Sequence, residues 1–172
     1  MELKGKRVTI RPVTETDIPV IHRWWNDPVV MREVRAEKLK PSLEMVRKHW
    51  AAWQNPGPRD FHMFIICLGG KPIGEIGYRC TDSDTQTFSL DIKIGETDLW
   101  GRGLAAAANR LFIDWLFNGL HARRLTVEPG DWNQRSIRLA QKCGFKEIRR
   151  EASPANAFFD GGVGVTMQLD RD

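Results

Sequence analysis

Residues 99–109 read LWGRGLAAAAN, in which two glycines flank an arginine and four alanines lead into an amphipathic run. Gly101 and Gly103 permit a tight turn and let a ligand approach the backbone amides. No Ser, Thr, Asp or Asn stands immediately before the run as a helix cap, so the first amides of the helix are left for another partner. A strand, a glycine-rich turn and a helix start together can bind phosphate through those amides and the helix dipole, with Arg102 adding positive charge. The same letters also describe a plain turn. The phosphate loop G-x-x-x-x-G-K-[ST] is missing. GRGLAA fits the looser dinucleotide pattern G-x-G-x-x-A, but the preceding strands read as an antiparallel meander and not as a βαβ unit.

The elements that must position this turn follow from periodicity. RVTIRPV alternates as a short strand, and TETDIPVIHRWWND starts a helix at Thr14 with Ile18, Ile21, Trp24 and Trp25 at helical spacing. Asp27-Pro28 stops it. A second helix spans residues 42–54, with Leu43, Val46, Trp50 and Trp53 as its apolar stripe, and NPGP at 55–58 ends it. FHMFIICL and PIGEIGYRC form a hairpin about GGK, and TFSLDIKIG is a third run. The helix after the glycine turn closes near Gly119. RRLTVEP, KEIRRE and GGVGVTMQL are strands, and NQRSIRLAQKCGF is a short helix closed by Gly144. The order implies an α/β (α+β) domain over residues 1–172, a mixed sheet with helices on its faces.

Composition narrows the partners. The 172 residues carry 26 Lys plus Arg against 22 Asp plus Glu, a mild bias toward anions without the dense basic block of a nucleic-acid binder. Cys67, Cys80 and Cys143 are too far apart for a metal knuckle and odd in number for a disulfide framework, so no metal is expected and a reducing, cytoplasmic setting fits. No run is apolar enough for a membrane span, and the first residues lack a signal-peptide core.

LWGRGLA after the strand LDIKIG, followed by NQRSIRLAQKCGF, resembles the GNAT superfamily of acetyl-CoA-dependent N-acyltransferases. Its signature [Q/R]-x-x-G-x-[G/A] reads here Trp100, Gly101, Arg102, Gly103, Leu104, Ala105, with Trp at the Gln/Arg position. The opening LKGKRVTIRPVTETDIPVIHRWWNDP is similar to the ribosomal-protein N-terminal acetyltransferase (RimJ/RimL-like) branch and its aminoglycoside 6'-acetyltransferase relatives. The resemblance implies about seven mostly antiparallel strands, splayed between the fourth, LDIKIG, and the fifth, RRLTVEP, with four helices. Acetyl-CoA would lie in that opening. Its pyrophosphate would sit on the amides of residues 101–105 and its pantetheine arm along the backbone of Ile92 and Ile94. Asn133 and Ser136 match positions that face the arm, and Arg135 or Lys142 could reach the phosphates; Arg135, Arg138 and Lys142 also read as a solvated helix face.

The implied reaction is attack of a neutral amine on the thioester, which calls for a base because amines are largely protonated at neutral pH. Asp91 falls where the branch often places a Glu beside the acceptor, and its neighbours Leu90 and Ile92 point burial to the opposite face. Glu96 and Asp160 are alternatives, each also readable as a surface charge, and His62 could line the acceptor cleft. The family often has a Tyr acid where this chain has Ala140; Ser136 could donate to the sulfur instead, or the thiolate could leave unaided. The acceptor reads first as a protein or peptide α-amine, second as a small-molecule amine such as an aminoglycoside or polyamine. For the second, Glu75 and TDSDTQT at 81–87 offer some acid. A non-catalytic acyl-CoA-binding module is the third reading. A homodimer is implied by the resemblance alone.

Overall fold

The computed structural model describes residues 1–57, 59–157 and 159–171. The chain runs through β1 (Leu3–Lys4), β2 (Thr9–Pro12), α1 (Ile18–Asn26), α2 (Pro28–Glu33), α3 (Leu43–Gln54), β3 (His62–Leu68), β4 (Lys71–Asp82), β5 (Thr87–Ile94), α4 (Leu104–Gly119), β6 (Arg124–Val127), α5 (Gln134–Lys142), β7 (Lys146–Ser153) and β8 (Gly162–Asp170). Among the described residues the strands form one sheet of eight, in the order β1-β2-β3-β4-β5-β6-β8-β7. Only β5 and β6 pair in parallel, joined by the crossover helix α4.

Two elements exceed the seven strands and four helices expected. β1 is a two-residue edge pairing Leu3 with Ile10, too short to show a period. α2 begins at the dipeptide expected only to stop α1. Asp27 leaves helical geometry, and its carboxylate accepts from the N–H groups of Val29 and Val30. Pro28 then takes the first helical position, where a missing N–H is no loss. One dipeptide ends a helix and caps the next.

β3 shows how both faces of the sheet are covered. Ile66 packs with Ile76, Tyr78 and Leu90 and with Leu104, Phe112 and Leu116 of α4. Its neighbours Ile65 and Cys67 face the other way, onto Ile18, Ile21, Trp24 and Val46 of α1 and α3. Ser42 caps α3 by accepting from the Met45 N–H. The apolar stripe of α3 begins at Val46, because Leu43 is 42% exposed. Pro58, the last residue of NPGP, lies outside the described residues. Gly119 is the last helical residue of α4, and His121 takes the left-handed position after it. Gly144 does close α5, where the Phe145 N–H returns to the Ala140 carbonyl at 3.1 Å. No helix among the described residues is long and apolar enough to cross a membrane.

A buried ion pair fixes α1 to the sheet. A single 3₁₀ turn (Glu15–Asp17) intervenes after Thr14, and Asp17, 2% exposed, accepts from both terminal nitrogens of Arg11 at 2.7 Å. The Thr14 N–H and hydroxyl add two bonds at 2.8 Å. Burial pushes this carboxyl up, and the hydrogen bonds from Arg11 and Thr14 outweigh it, holding it below the usual carboxylate range. A depressed carboxylate stabilises the fold above its unfolded pKa, and that stability is lost as pH falls through the folded value. A decline in melting temperature below about pH 4 is expected. Asp17→Asn should cost about 3 kcal/mol in urea unfolding at pH 7, the low end for a broken buried pair because Arg11 is partly exposed, and should flatten the acid decline.

Candidate active site

β5 and β6 stay paired only from Thr87–Arg124 to Ser89–Thr126. Beyond that point β6 follows β8, where Val127 pairs with Met167, while β5 continues along β4 to Ile94. The two strands therefore open into a cleft of about 870 Å³, as the resemblance implied. The Gly95 N–H donates to Ile73 on β4, so antiparallel alternation turns Lys93 and Asp91 backbone groups toward β4. The backbone groups of Leu90, Ile92 and Ile94 then face the cleft.

The glycine turn stands at the mouth of this opening. Gly101 (φ 78°) and Gly103 (φ 73°) are both left-handed, and Gly103 caps α4 without any side-chain bond. The N–H groups of the first helical turn are thereby left without intrahelical partners. Nothing lies within 4 Å of a Cβ built on Gly101, and on Gly103 such an atom meets only Arg7, at 3.3 Å. Approach to the amides is open. Trp100 explains its departure from Gln or Arg: its Nε1–H donates to the Ile94 carbonyl at 2.9 Å, and the Arg135 guanidinium lies 4.6 Å above its ring. One aromatic side chain ties the turn to the end of β5 and draws α5 toward it. Arg102 is exposed and absent from the cleft lining, whereas Arg135, Arg138 and Lys142 of α5 line it. Free amides, open glycines and three facing cations fit a pyrophosphate.

α5 is held in place by its cap residue, Asn133, and by α2. The Asn133 Oδ1 accepts from the Ser136 N–H at 2.9 Å, and its Nδ2 donates to the Glu33 carbonyl at 3.0 Å. Both ends of this amide, expected to face a cofactor arm, are committed to positioning. Trp132 Nε1 donates to the same Glu33 carbonyl at 3.1 Å. Arg35 stacks 4.0 Å over the Trp132 ring and donates to the Gly161 carbonyl at 3.1 Å. A strap from α2 is thus fastened to the loops on the far side of the opening. Sequence reasoning missed it, because its contacts join residues about a hundred positions apart. Ser136 and Ala140 line the cleft from successive turns of α5.

The carboxylates separate by environment. Asp91 is exposed and lines the cleft, on the opposite face of β5 from buried Leu90. Glu96 is outside the cleft, bonded to Arg23 and to the buried Trp24 Nε1. Burial pushes Glu96 up, but the bonds from Arg23 and Trp24 prevail and hold it low. Asp160 pairs with Lys38 and does not line the cleft. His62 stacks on Tyr78 at 4.5 Å, also away from it. Nor do the acids of residues 81–87 reach it: the Asp82 Oδ1 accepts from the N–H groups of Asp84 and Thr85 in a hairpin turn. Glu75 is buried between Trp25 Nε1 at 3.0 Å and Lys93 Nζ at 2.9 Å, so its charge is already matched. Burial alone would lower Lys93, but the charges of Glu75 and Asp91 raise it. Lys93, overlooked in the sequence, lines the cleft as a half-buried cation.

A family model described as an acetyltransferase (GNAT) domain matches residues 7–146. The chain belongs to the GNAT acetyltransferases. It is 25% identical over 161 residues to the aminoglycoside N(6')-acetyltransferase type 1 of Klebsiella pneumoniae, covering 86% of this chain and 78% of that one. Among solved structures, AAC(6')-Ib with ribostamycin and coenzyme A superposes with a TM-score of 0.82 at 23% identity, over 96% of this chain and 94% of that chain. Spermidine N-acetyltransferase from Vibrio cholerae, with CoA and spermine, gives 0.83 at 18% identity, over 96% of each. The sheet split at β5 and β6 is accordingly the GNAT fold. As a GNAT enzyme the protein is an N-acetyltransferase whose donor is acetyl-CoA. The non-catalytic reading is set aside, and the relatives above are named for the acetylation of aminoglycosides and of spermidine.

Proposed function

We propose that this GNAT enzyme acetylates the amino group of a small, positively charged molecule. The observation that carries this reading is the charge around the cleft. Glu33, Asp91 and Glu128 line it without an ion pair among the described residues, whereas Lys93 and Arg149 are matched by Glu75 and Glu151. The unmatched cations Arg135, Arg138 and Lys142 gather on α5. An anionic donor suits that end, and unmatched carboxylates on the walls concentrate a cationic acceptor. The relatives named for aminoglycosides and spermidine support the same reading, which replaces the protein α-amine expected first.

In this reading the amides of residues 101–105 hold the pyrophosphate and the outward backbone of Ile92 and Ile94 pairs with the pantetheine arm. The Ile94 carbonyl is already used by Trp100, which leaves its N–H for that purpose. Ala105 to Ala108 keep the first turns of α4 slim. The donor supplies a thioester carbonyl and a thiol leaving group. An amine of pKa near 10 arrives protonated, and Asp91 accepts that proton directly or through a water before attack. Ser136 offers a hydroxyl one turn of α5 before Ala140, where the family often has Tyr, although a thiolate of pKa near 8.5 can also leave unassisted.

The test is a CoA-release assay with polyamines, aminoglycosides and peptides bearing a free α-amine. Small polycations should give a kcat/KM at least about tenfold above the peptides, falling as salt screens the cleft. Preference for the peptides would overturn the proposal.

A further inference from the structure

Asn109, on the second turn of α4, was not singled out by any motif. It is 3% exposed, it lines the cleft, and its Oδ1 has no hydrogen-bond partner. A buried carbonyl oxygen without a donor is costly, so its persistence beside a ligand cleft points to a donor that arrives with the ligand. The same side chain lies against the Cys143 thiol at the end of α5, where the Asn109 amide opposes the rise that burial gives the thiol. Lowering a thiol is what a donating N–H does, and Oδ1 is the end of the amide without a partner.

The position along the helix says which part of the ligand it meets. α4 is the crossover between parallel β5 and β6, so it runs back alongside β5, from the Ile94 end toward the Thr87 end. Asn109 lies five residues after Leu104, about 7.5 Å along the axis from the amides of the glycine turn. Small side chains, Ala105 and Ala106 on α4 and Ala140 on α5, line the cleft between these points. Along the arm of CoA, the first donors beyond the pyrophosphate are the pantoyl hydroxyl and the adjacent amide N–H.

We infer that Asn109 is a cofactor-positioning residue whose Oδ1 accepts a hydrogen bond from the pantoyl end of the CoA arm. This rests on the pyrophosphate lying at residues 101–105. With that bond made, the arm is fixed in the plane between α4 and β5, and the thioester is aimed at the open end of the cleft near Asp91.

Titration calorimetry with CoA and with ADP, which shares the pyrophosphate but lacks the arm, tests it on Asn109→Leu, Asn109→Ala and Gly103→Val. Both Asn109 variants should raise the Kd for CoA about tenfold and leave that for ADP unchanged. Ligand-free Asn109→Leu should melt at or above wild type, because it removes an unpaired buried oxygen; a structural role would lower it. An unchanged CoA affinity in both variants, or an equal loss for ADP, overturns the inference. If Gly103→Val leaves both ligands unaffected, it is the placement of the pyrophosphate that fails.

Discussion

Asp91→Asn is expected to lower turnover of the acceptor amine by about 100-fold or more while leaving the Kd for CoA unchanged. The side chain is exposed in the cleft, with no hydrogen bond or close ion pair to protein among the described residues, and Lys93 is the cation that feels its charge. The amide keeps the shape and loses the basicity. Lys93 retains Glu75 at 2.9 Å, so the melting temperature should hardly move. Wild-type turnover in Asp91→Asn would pass the role to another group, and Glu96, bound by Arg23 and Trp24, offers no such freedom.

Gly103→Val should weaken CoA binding at least about tenfold, or 1.4 kcal/mol. The cause is conformational. Gly103 sits at φ 73°, a region costing an L-residue about 1–2 kcal/mol and more when branched at Cβ. The only atom near its Cβ position is the Arg7 guanidinium at 3.3 Å, the movable end of an exposed side chain. The turn would relieve the strain by rotating, and the amides at the start of α4 would turn away from the phosphate position. Direct titration of CoA measures this, and Gly101→Val, at φ 78° with no neighbour within 4 Å, should behave alike. Full affinity in both variants would detach the cofactor from this turn.

Some of this was legible in the sequence because it is local. The glycine turn without a side-chain cap, the GGK hairpin and the Gly144 helix end each depend on a few adjacent residues whose backbone preferences are strong. The alternation in LDIKIG told correctly that Asp91 faces away from Leu90 and Ile92. A short signal can carry two outcomes: Asp27-Pro28 reads as a stop in the sequence, and in the fold it also caps α2.

Sorting the carboxylates was beyond any local pattern. Asp91, Glu96 and Asp160 are alike as residues, and their partners Arg23, Trp24 and Lys38 lie far away in the chain. The same distance hid Lys93 beside Glu75, the strap from Arg35 to Trp132, and the unpaired oxygen of Asn109.

The sequence by itself determined the order of the longer elements, the uncapped glycine turn and the GNAT superfamily, because helix ends, strand periods and glycine positions are set by short-range sterics and hydrogen bonding. Only the tertiary structure decided which charges remain unmatched in the cleft. Whether a carboxylate is a base or a clamp depends on what folding brings within bonding distance of it, and residues tens of positions away supply that.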